Sequence, residues 1–282
     1  MNQFDSTITW TFCECGENHV GMQMIGNKAK PGEGFNLFDL QRASLWCREH
    51  NVEYELWDLR PEDDEIRKYL PPSYLLIMRD CASKILEENG EYNPRALFEE
   101  SKVLNWDKKI LNQYKKVVNR HTHHNLVVAD PPAAPQKPSY AEGKGRIIKY
   151  EDVPFLAAIR ETLPYILGPK ANKMVGEGNH YYSPGNTGIA WHGDTERRRV
   201  VGVRLGVTMP LWFRWYRNFV KIQGINEDDP DSGPDGNIMK FQLNNNDIYV
   251  MSEWAVGTEW KKSTLYTLRH CAGADNKGHE YV

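Results

Sequence analysis

Residues 179–206 read NHYYSPGNTGIAWHGDTERRRVVGVRLG and are the most informative part of the chain. At their centre, His192 and Asp194 stand two residues apart. Side chains two apart on an extended segment point to the same side, so this imidazole and this carboxylate can bind one metal ion as two corners of a facial triad. With a third histidine from elsewhere, such a triad leaves coordination positions open for a cosubstrate and O2. The stretch therefore predicts a non-haem Fe(II) site.

An isolated H-x-D motif occurs by chance in many proteins, so the surrounding sequence determines its value. Here it belongs to a longer pattern that is close to N-x-Y-x-x-G, with one extra residue before the glycine, followed by a short loop, H-x-D, and an apolar strand that ends in Leu-Gly. The members of the pattern are, in order, Asn179, Tyr181, Gly185, His192, Asp194, Leu205 and Gly206. This pattern resembles that of the AlkB-like Fe(II)/2-oxoglutarate-dependent dioxygenases. The resemblance covers about residues 175–273, and it continues weakly at 245–251, where asparagine replaces the glycine of the family's Gly-Asp strand.

The resemblance implies an α+β fold whose catalytic core is a double-stranded β-helix, a jelly-roll of two antiparallel sheets. It implies an enzyme that uses Fe(II), 2-oxoglutarate as cosubstrate, and O2, and that hydroxylates or oxidatively demethylates a substrate C–H bond. It also implies that Asn179 and Tyr181 hydrogen-bond the cosubstrate. These two residues have the parity needed to share one face of a strand.

In the family, the third metal ligand is a histidine that follows the H-x-D motif. Only His270 and His279 follow His192 in this sequence. We expect His270 to be the ligand, because it ends the apolar strand-like run 263–271, whereas His279 stands close to the end of the sequence. The separation between His192 and His270 is long for the family, and the acidic Gly/Pro-rich stretch 226–236 accounts for part of the excess.

A buried carboxylate such as the distal one of 2-oxoglutarate needs a cation, and arginine offers a bidentate pair. In AlkB relatives this arginine follows the third histidine, but the sequence after His270 contains no arginine. Arg204 lies between two glycines on one face of the predicted strand 200–206, opposite an apolar face. We therefore expect Arg204 to anchor 2-oxoglutarate, in a position like that used by JmjC-type hydroxylases. Arg269 is the alternate anchor, and an ordinary salt bridge is the competing explanation for Arg204.

The rest of the chain suggests three regions. Residues 1–128 read as a mixed α/β region of unknown role, with a strand at 7–13, a helix capped by Asn36 and running to about residue 50, and one or two helices within 94–118. Residues 129–145, ADPPAAPQKPSYAEGKG, have the composition of a linker. Residues 146–282 hold a helix at 153–167 and then many short strand-like runs, which favour a barrel or sandwich core.

Composition bounds the function without naming it. The chain has 282 residues, 35 Lys and Arg against 38 Asp and Glu, and a net charge of −3. It has no apolar run of about 20 residues, so no membrane association is expected. Its five cysteines have no disulfide-type spacing, which favours an intracellular location, cytoplasmic or nuclear.

The substrate stays open at this level. The AlkB resemblance suggests a nucleic-acid base, and that hypothesis predicts a basic groove at the mouth of the site. The net charge and the unmatched region 1–128 favour a protein side chain or a small molecule. A non-catalytic barrel that binds a partner is the alternative from a different class. The run Arg197-Arg198-Arg199 is either a rim for an anionic substrate or a solvated turn.

Overall fold

A computed structural model of the protein describes residues 4–18, 23–62, 64–90, 93–218, 220–221 and 238–273. Within these ranges the fold is α+β, with a large, mostly antiparallel sheet and few helices. None of the described helices combines the length and the apolar character needed to cross a membrane.

The helices are α1 (Leu37–Glu49), α2 (Asp64–Arg67), α3 (Cys81–Glu88), α4 (Ala96–Lys102) and α5 (Pro154–Leu167), with short 3₁₀ turns at Tyr140–Glu142, Tyr150–Asp152 and Pro169–Ala171. The strands are β1 (Thr7–Cys13), β2 (Cys15–Asn18), β3 (Gln23–Gly26), β4 (Tyr54–Asp58), β5 (Tyr74–Met78), β6 (Lys109–Leu111), β7 (Val117–Asn119), β8 (His124–Ala129), β9 (Ile147–Lys149), β10 (Val175–Tyr181), β11 (Ile189–His192), β12 (Val200–Gly206), β13 (Met209–Arg217), β14 (Val220–Lys221), β15 (Ile238–Leu243), β16 (Ile248–Met251) and β17 (Tyr266–Ala272).

The large sheet has eight strands in the order β4-β5-β16-β12-β1-β10-β8-β9. All neighbours are antiparallel except β8 and β9. The first strand of the chain, β1, lies in the middle of this sheet, between β10 and β12. A smaller antiparallel sheet follows the order β11-β17-β13-β14, and β15 also pairs with β13.

The two faces of the large sheet bury different partners. On β12, Val201, Val203 and Leu205 share a core with α1, α3 and α5. Val200, on the opposite face of the same strand, belongs to a second core that joins the large sheet to Phe213 and the other inward residues of the smaller sheet. This alternation follows from the two-residue period of a strand. The described chain is therefore layered as helices, large sheet and small sheet.

The helix predicted after Asn36 is confirmed as α1. The Asn36 side chain accepts hydrogen bonds from the backbone N–H groups of Phe38 and Asp39, and the Asp39 carboxylate accepts one from the Asn36 N–H. This reciprocal arrangement is a capping box, which stabilises the first turn of a helix.

The expected helices within 94–118 are only partly present. After α4 the chain forms a hairpin of β6 and β7 instead. Its turn is closed by Asn112, whose side-chain oxygen accepts hydrogen bonds from the backbone of Tyr114 and Lys116, and Lys115 adopts a positive φ of 58°. An asparagine that satisfies nearby backbone donors favours a turn over a helix.

The boundary predicted at 129–145 does not separate two sheets. Strands β1, β4 and β5 and all but the last residue of β8 come from residues 1–128, yet they lie in the same sheet as β10, β12 and β16. The reason is that antiparallel pairing joins segments far apart in sequence, so a Pro-rich connection can run between strands of one sheet. Residues 1–128 therefore supply half of the large sheet.

Candidate functional site

Three side chains of metal-ligand type meet at one end of the small sheet. One ligand atom from each of His192, Asp194 and His270 lies within 4.8 Å of the other two. His192 Nε2 is 3.6 Å from Asp194 Oδ1, and His270 Nε2 is 4.0 Å from Asp194 Oδ2. Two atoms bonded to one ion at about 2.1 Å can be at most about 4.2 Å apart, so the cluster is close to the size that one ion requires.

Backbone pairing brings the two histidines together. Strands β11 and β17 are antiparallel neighbours, and His192 is paired directly with His270. Their rings are 4.4 Å apart between centroids. Side chains of directly paired residues project from the same face, so two histidines that are far apart in the sequence come into contact.

Gly193 lets the backbone of the 256–257 segment approach closely between His192 and Asp194. A Cβ added at Gly193 would stand 2.2 Å from the carbonyl oxygen of Gly257, so a side chain has no room there. The next residue, Asp194, donates its backbone N–H to the carbonyl of Val256 at 3.1 Å. The close approach of the 256–257 segment thus holds the H-G-D motif in place.

The His192 ring is arranged to offer Nε2 as its ligand atom. His192 Nδ1 is 2.7 Å from the carbonyl oxygen of Ala190. Because a carbonyl only accepts, Nδ1 carries the proton and Nε2 keeps its lone pair. Burial lowers the pKa of His270 well below its ordinary value, with further contributions from His192 and Arg197, so its ring is neutral at pH 7.

Two of the three arginines in the run, Arg197 and Arg198, are buried in ion pairs, so neither a rim nor a solvated turn describes them. Arg197 and Arg198 are each only 5% exposed. Arg197 pairs with Glu177 at 2.7 Å and lies 3.6 Å from Asp194 Oδ2, while Arg198 pairs with Glu253 at 2.7 Å. Buried guanidinium groups need anionic partners, and nearby carboxylates supply them here. Arg197 therefore stabilises the negative charge of the Asp194 carboxylate.

Arg204 is placed where parity predicted, on the face of β12 away from Val201, Val203 and Leu205. It is fully buried, lines the same cavity as the three ligand-type residues, and makes no side-chain hydrogen bond to any described residue through Nε, Nη1 or Nη2. Burial lowers its pKa from the ordinary value, although an arginine stays charged at neutral pH. The local salt bridge considered for Arg204 is not formed among the described residues. A buried guanidinium in this state is suited to an incoming anion.

Arg269 points away from the cavity. It is the immediate neighbour of His270 on β17, so strand alternation sends its side chain to the other face. Its guanidinium lies over the ring of Tyr216 at 4.1 Å and over the ring of Trp260 at 5.0 Å. The alternate anchor is thus engaged elsewhere.

Asn179 and Tyr181 both line the cavity from β10. The Asn179 side-chain oxygen accepts a hydrogen bond from Asn125 at 3.3 Å. Burial raises the pKa of Tyr181, which therefore stays a neutral hydroxyl that can donate. The structure brings both predicted cosubstrate residues to the metal-ligand cluster, whereas His279 lies outside the described residues.

Several cavity residues were missed by sequence reasoning because they belong to strands with no motif. They come from β1, β8 and β16 and from the segment after β7, and they are Thr9, Thr11, Asn125, Tyr249, Arg120 and His123. Alternation along 7–13, with threonines at every second position, was a usable signal: Thr7, Thr9 and Thr11 share one face of a strand whose other face is Ile8, Trp10 and Phe12.

The cavity has a volume of about 350 Å³ and lies between the two sheets. The His192–Asp194–His270 cluster forms one wall and Arg204 lies on its floor, with Trp191, Trp260 and Lys261 at its border. Two imidazoles and one carboxylate, without a thiolate, form a donor set suited to Fe(II), and the cavity side of the set faces open space. The residues present therefore fit a non-haem iron ion and a small anionic ligand.

No family model matches the chain. The chain is similar to the protein named "Uncharacterized protein R156" of Acanthamoeba polyphaga mimivirus, with 38% identity over 278 residues. The match spans 98% of this chain and 98% of the viral protein. The similarity thus extends through the part that precedes the H-x-D motif as well as the part that contains it.

Proposed function

We propose that this chain, which belongs to the same protein family as the mimivirus protein R156, is an Fe(II)- and 2-oxoglutarate-dependent oxygenase. It hydroxylates or oxidatively demethylates a C–H bond of its substrate. The observation that carries the proposal is the presence of two features in one cavity: the His192–Asp194–His270 cluster, and the buried guanidinium of Arg204, which has no hydrogen-bond partner in the described ranges.

The proposed core is a double-stranded β-helix. Two antiparallel sheets that share a buried core support this proposal. So does the location of His192 and His270, which lie on paired strands of the smaller sheet and line the cavity between the two sheets.

Each part of the cavity has its own task. His192, Asp194 and His270 hold the iron, and Arg204 binds the distal carboxylate of 2-oxoglutarate at the floor. When bound, the iron, 2-oxoglutarate and O2 supply the oxidation, in which one oxygen atom enters succinate as CO2 leaves and the other enters the substrate C–H bond. Asn179 and Tyr181 offer hydrogen bonds that orient the cosubstrate. Burial between two sheets excludes bulk water from the reacting atoms.

A nucleic-acid base is the substrate that one further feature favours. The β6–β7 hairpin carries exposed Lys108, Lys109, Lys115 and Lys116, and none of the four is ion-paired to another described residue. No Asp or Glu occurs between residues 108 and 129. The segment just after the hairpin, at Arg120 and His123, lines the cavity. Basic side chains on the hairpin that leads into this cavity-lining segment attract phosphates locally, even though the net charge is −3.

Hydroxylation of a protein side chain or of a small molecule is the second candidate. It is supported by the overall acidic balance of the chain, 38 acidic against 35 basic residues. It predicts that nucleic acid does not compete with the substrate for the cavity.

The reaction class is tested by adding Fe(II) and 2-oxoglutarate to the protein without O2. We expect the weak visible charge-transfer band of the iron chelate. The band should disappear in His192→Ala and Asp194→Ala and persist in His121→Ala, a matched change at an exposed histidine outside the cavity. A folded wild-type protein that gives no band would reject the oxygenase proposal. Absence of bound metal after purification and reloading would favour a non-catalytic barrel that binds a partner.

A further inference from the structure

We propose that Thr9, on the first strand of the chain, is a second binding residue for the distal carboxylate of a 2-oxo dicarboxylic acid. The inference rests on the proposed function and adds a residue to it. It also gives residues 1–128 a direct part in the site, through the strand β1 at the centre of the large sheet.

The pairing of four strands sets Thr9 beside Arg204. Asn125 is paired with Asn179, Asn179 with Thr9, and Thr9 with Arg204. These four residues form a cross-strand row, and all four line the cavity. Neighbouring strands are about 4.8 Å apart, and directly paired residues have Cβ atoms about 5 Å apart. A carboxylate held by Arg204 therefore lies within reach of the Thr9 hydroxyl.

The Thr9 hydroxyl is buried, and none of the residues that the structure describes is its hydrogen-bond partner. The residue is 4% exposed, and its Oγ1 makes no hydrogen bond to any described residue. The other two threonines on this face of β1 are engaged: Thr7 donates to the carbonyl of Val207 at 2.7 Å, and Thr11 shares a hydrogen bond with Tyr249. A buried hydroxyl without a partner is unfavourable, and an anion in the cavity would satisfy it.

The neighbouring guanidinium of Arg204 is buried in the same way as the Thr9 hydroxyl. Arg204 is fully buried, and its three guanidinium nitrogens have no hydrogen-bond partner among the described residues. Two adjacent donors, one charged and one neutral, both face one cavity and have no acceptor within the described part of the chain, and together they are complementary to a carboxylate with its two oxygens. The site thereby selects a 2-oxo acid with a second carboxylate over one that ends in a methyl group.

The test compares two ligands on the full-length protein loaded with Mn(II), which replaces Fe(II) without turnover. 2-Oxoglutarate has the distal carboxylate, and 2-oxovalerate has the same chain length and ends in a methyl group. Binding of each is measured by calorimetry for the wild type, Thr9→Val, Thr9→Ser and the control Thr7→Val. The control removes the same hydroxyl from the same strand face, at a residue that does not line the cavity.

We expect Thr9→Val to weaken 2-oxoglutarate binding about 10-fold or more, since a hydrogen bond to a charged group is lost. Binding of 2-oxovalerate should be unchanged, Thr9→Ser should retain most of the affinity, and Thr7→Val should leave both ligands unaffected. Equal 2-oxoglutarate affinity in Thr9→Val and wild type overturns the inference alone, as does equal weakening of both ligands. A wild-type protein that binds neither 2-oxo acid overturns the proposed function together with it.

Discussion

The ring of Tyr249 lies directly over Gly202. The two residues are paired between β16 and β12, and a Cβ built on Gly202 would stand 2.0 Å from Cζ of Tyr249. The missing side chain lets the ring lie across β12, so that its hydroxyl reaches Thr11 on β1. Tyr249 thereby forms part of the cavity floor beside Arg204.

Gly202→Ala should displace this ring and disturb the floor. We expect a loss of about 1–3 kcal/mol in the free energy of unfolding, because an added methyl group in a packed core forces neighbours to move. The measurement is urea unfolding, with Gly273→Ala as the control, since a Cβ there meets nothing closer than 3.7 Å. Equal unfolding midpoints for the two variants would show that the ring moves freely.

Arg204→Met should abolish 2-oxoglutarate binding and make the folded protein more stable. A fully buried guanidinium without a hydrogen-bond partner among the described residues destabilises the ligand-free protein, and an apolar side chain of similar length removes that penalty. We expect the free energy of unfolding to rise by about 1–4 kcal/mol while 2-oxoglutarate binding is lost.

The matched control for Arg204→Met is Arg269→Met. Arg269 packs over the rings of Tyr216 and Trp260, outside the cavity. This variant should lose up to about 2 kcal/mol of stability through the cation–π contacts and keep its affinity for 2-oxoglutarate. The opposite ranking of the two variants in ligand binding would identify Arg269 as the anchor.

The folded protein should become less stable as the pH is lowered from about 6.5 to about 4. Burial lowers the pKa of His124 and of His180 from 6.5 to about 4. In that window the unfolded chain binds protons that the folded chain excludes, so each step down in pH favours unfolding. The paired change His124→Leu and His180→Leu should make the decline shallower, as measured by urea midpoints at pH 7 and pH 4.5. A decline as steep as that of the wild type would rule out these two rings as its source.

The exposed lysines of the β6–β7 hairpin should make nucleic-acid binding more dependent on salt concentration. For Lys115→Gln with Lys116→Gln, we expect the slope of log affinity against log salt, for a single-stranded oligonucleotide, to decrease by about 1.4, or about 0.7 per lost phosphate contact. The control is Lys68→Gln with Lys137→Gln, two exposed lysines outside the hairpin. Equal slopes in both double variants would remove the support for a nucleic-acid substrate.

Local signals in the sequence were sufficient for some of the helices and strands. The strand at 200–206 and the helix after Asn36 follow from alternation and capping, and both occur as β12 and α1. The spacing of His192 and Asp194 was also enough to predict that their side chains lie together, because the two residues are close neighbours on one segment.

The pairing of strands that are far apart in the chain could not be predicted from the sequence. Nothing in residues 7–13 indicates that β1 pairs with β10 and β12, because any strand with suitable alternation would satisfy the same pattern. For this reason the cavity role of Thr9 was missed and a boundary was predicted between residues 128 and 146. The hairpin after α4 was missed because it depends on the turn at Asn112 rather than on periodicity.

Because β1 lies in the middle of the large sheet, its pairing can be completed only after strands much later in the sequence have been translated. Thr7 pairs with Gly206, so most of the chain must be translated before this pair can form. At about 5–20 residues per second, the strand waits about 10–40 s for its partners. For most of that interval neither edge of β1 has its partner strand, because β10 is translated only shortly before β12, and such long-range pairing makes folding slow.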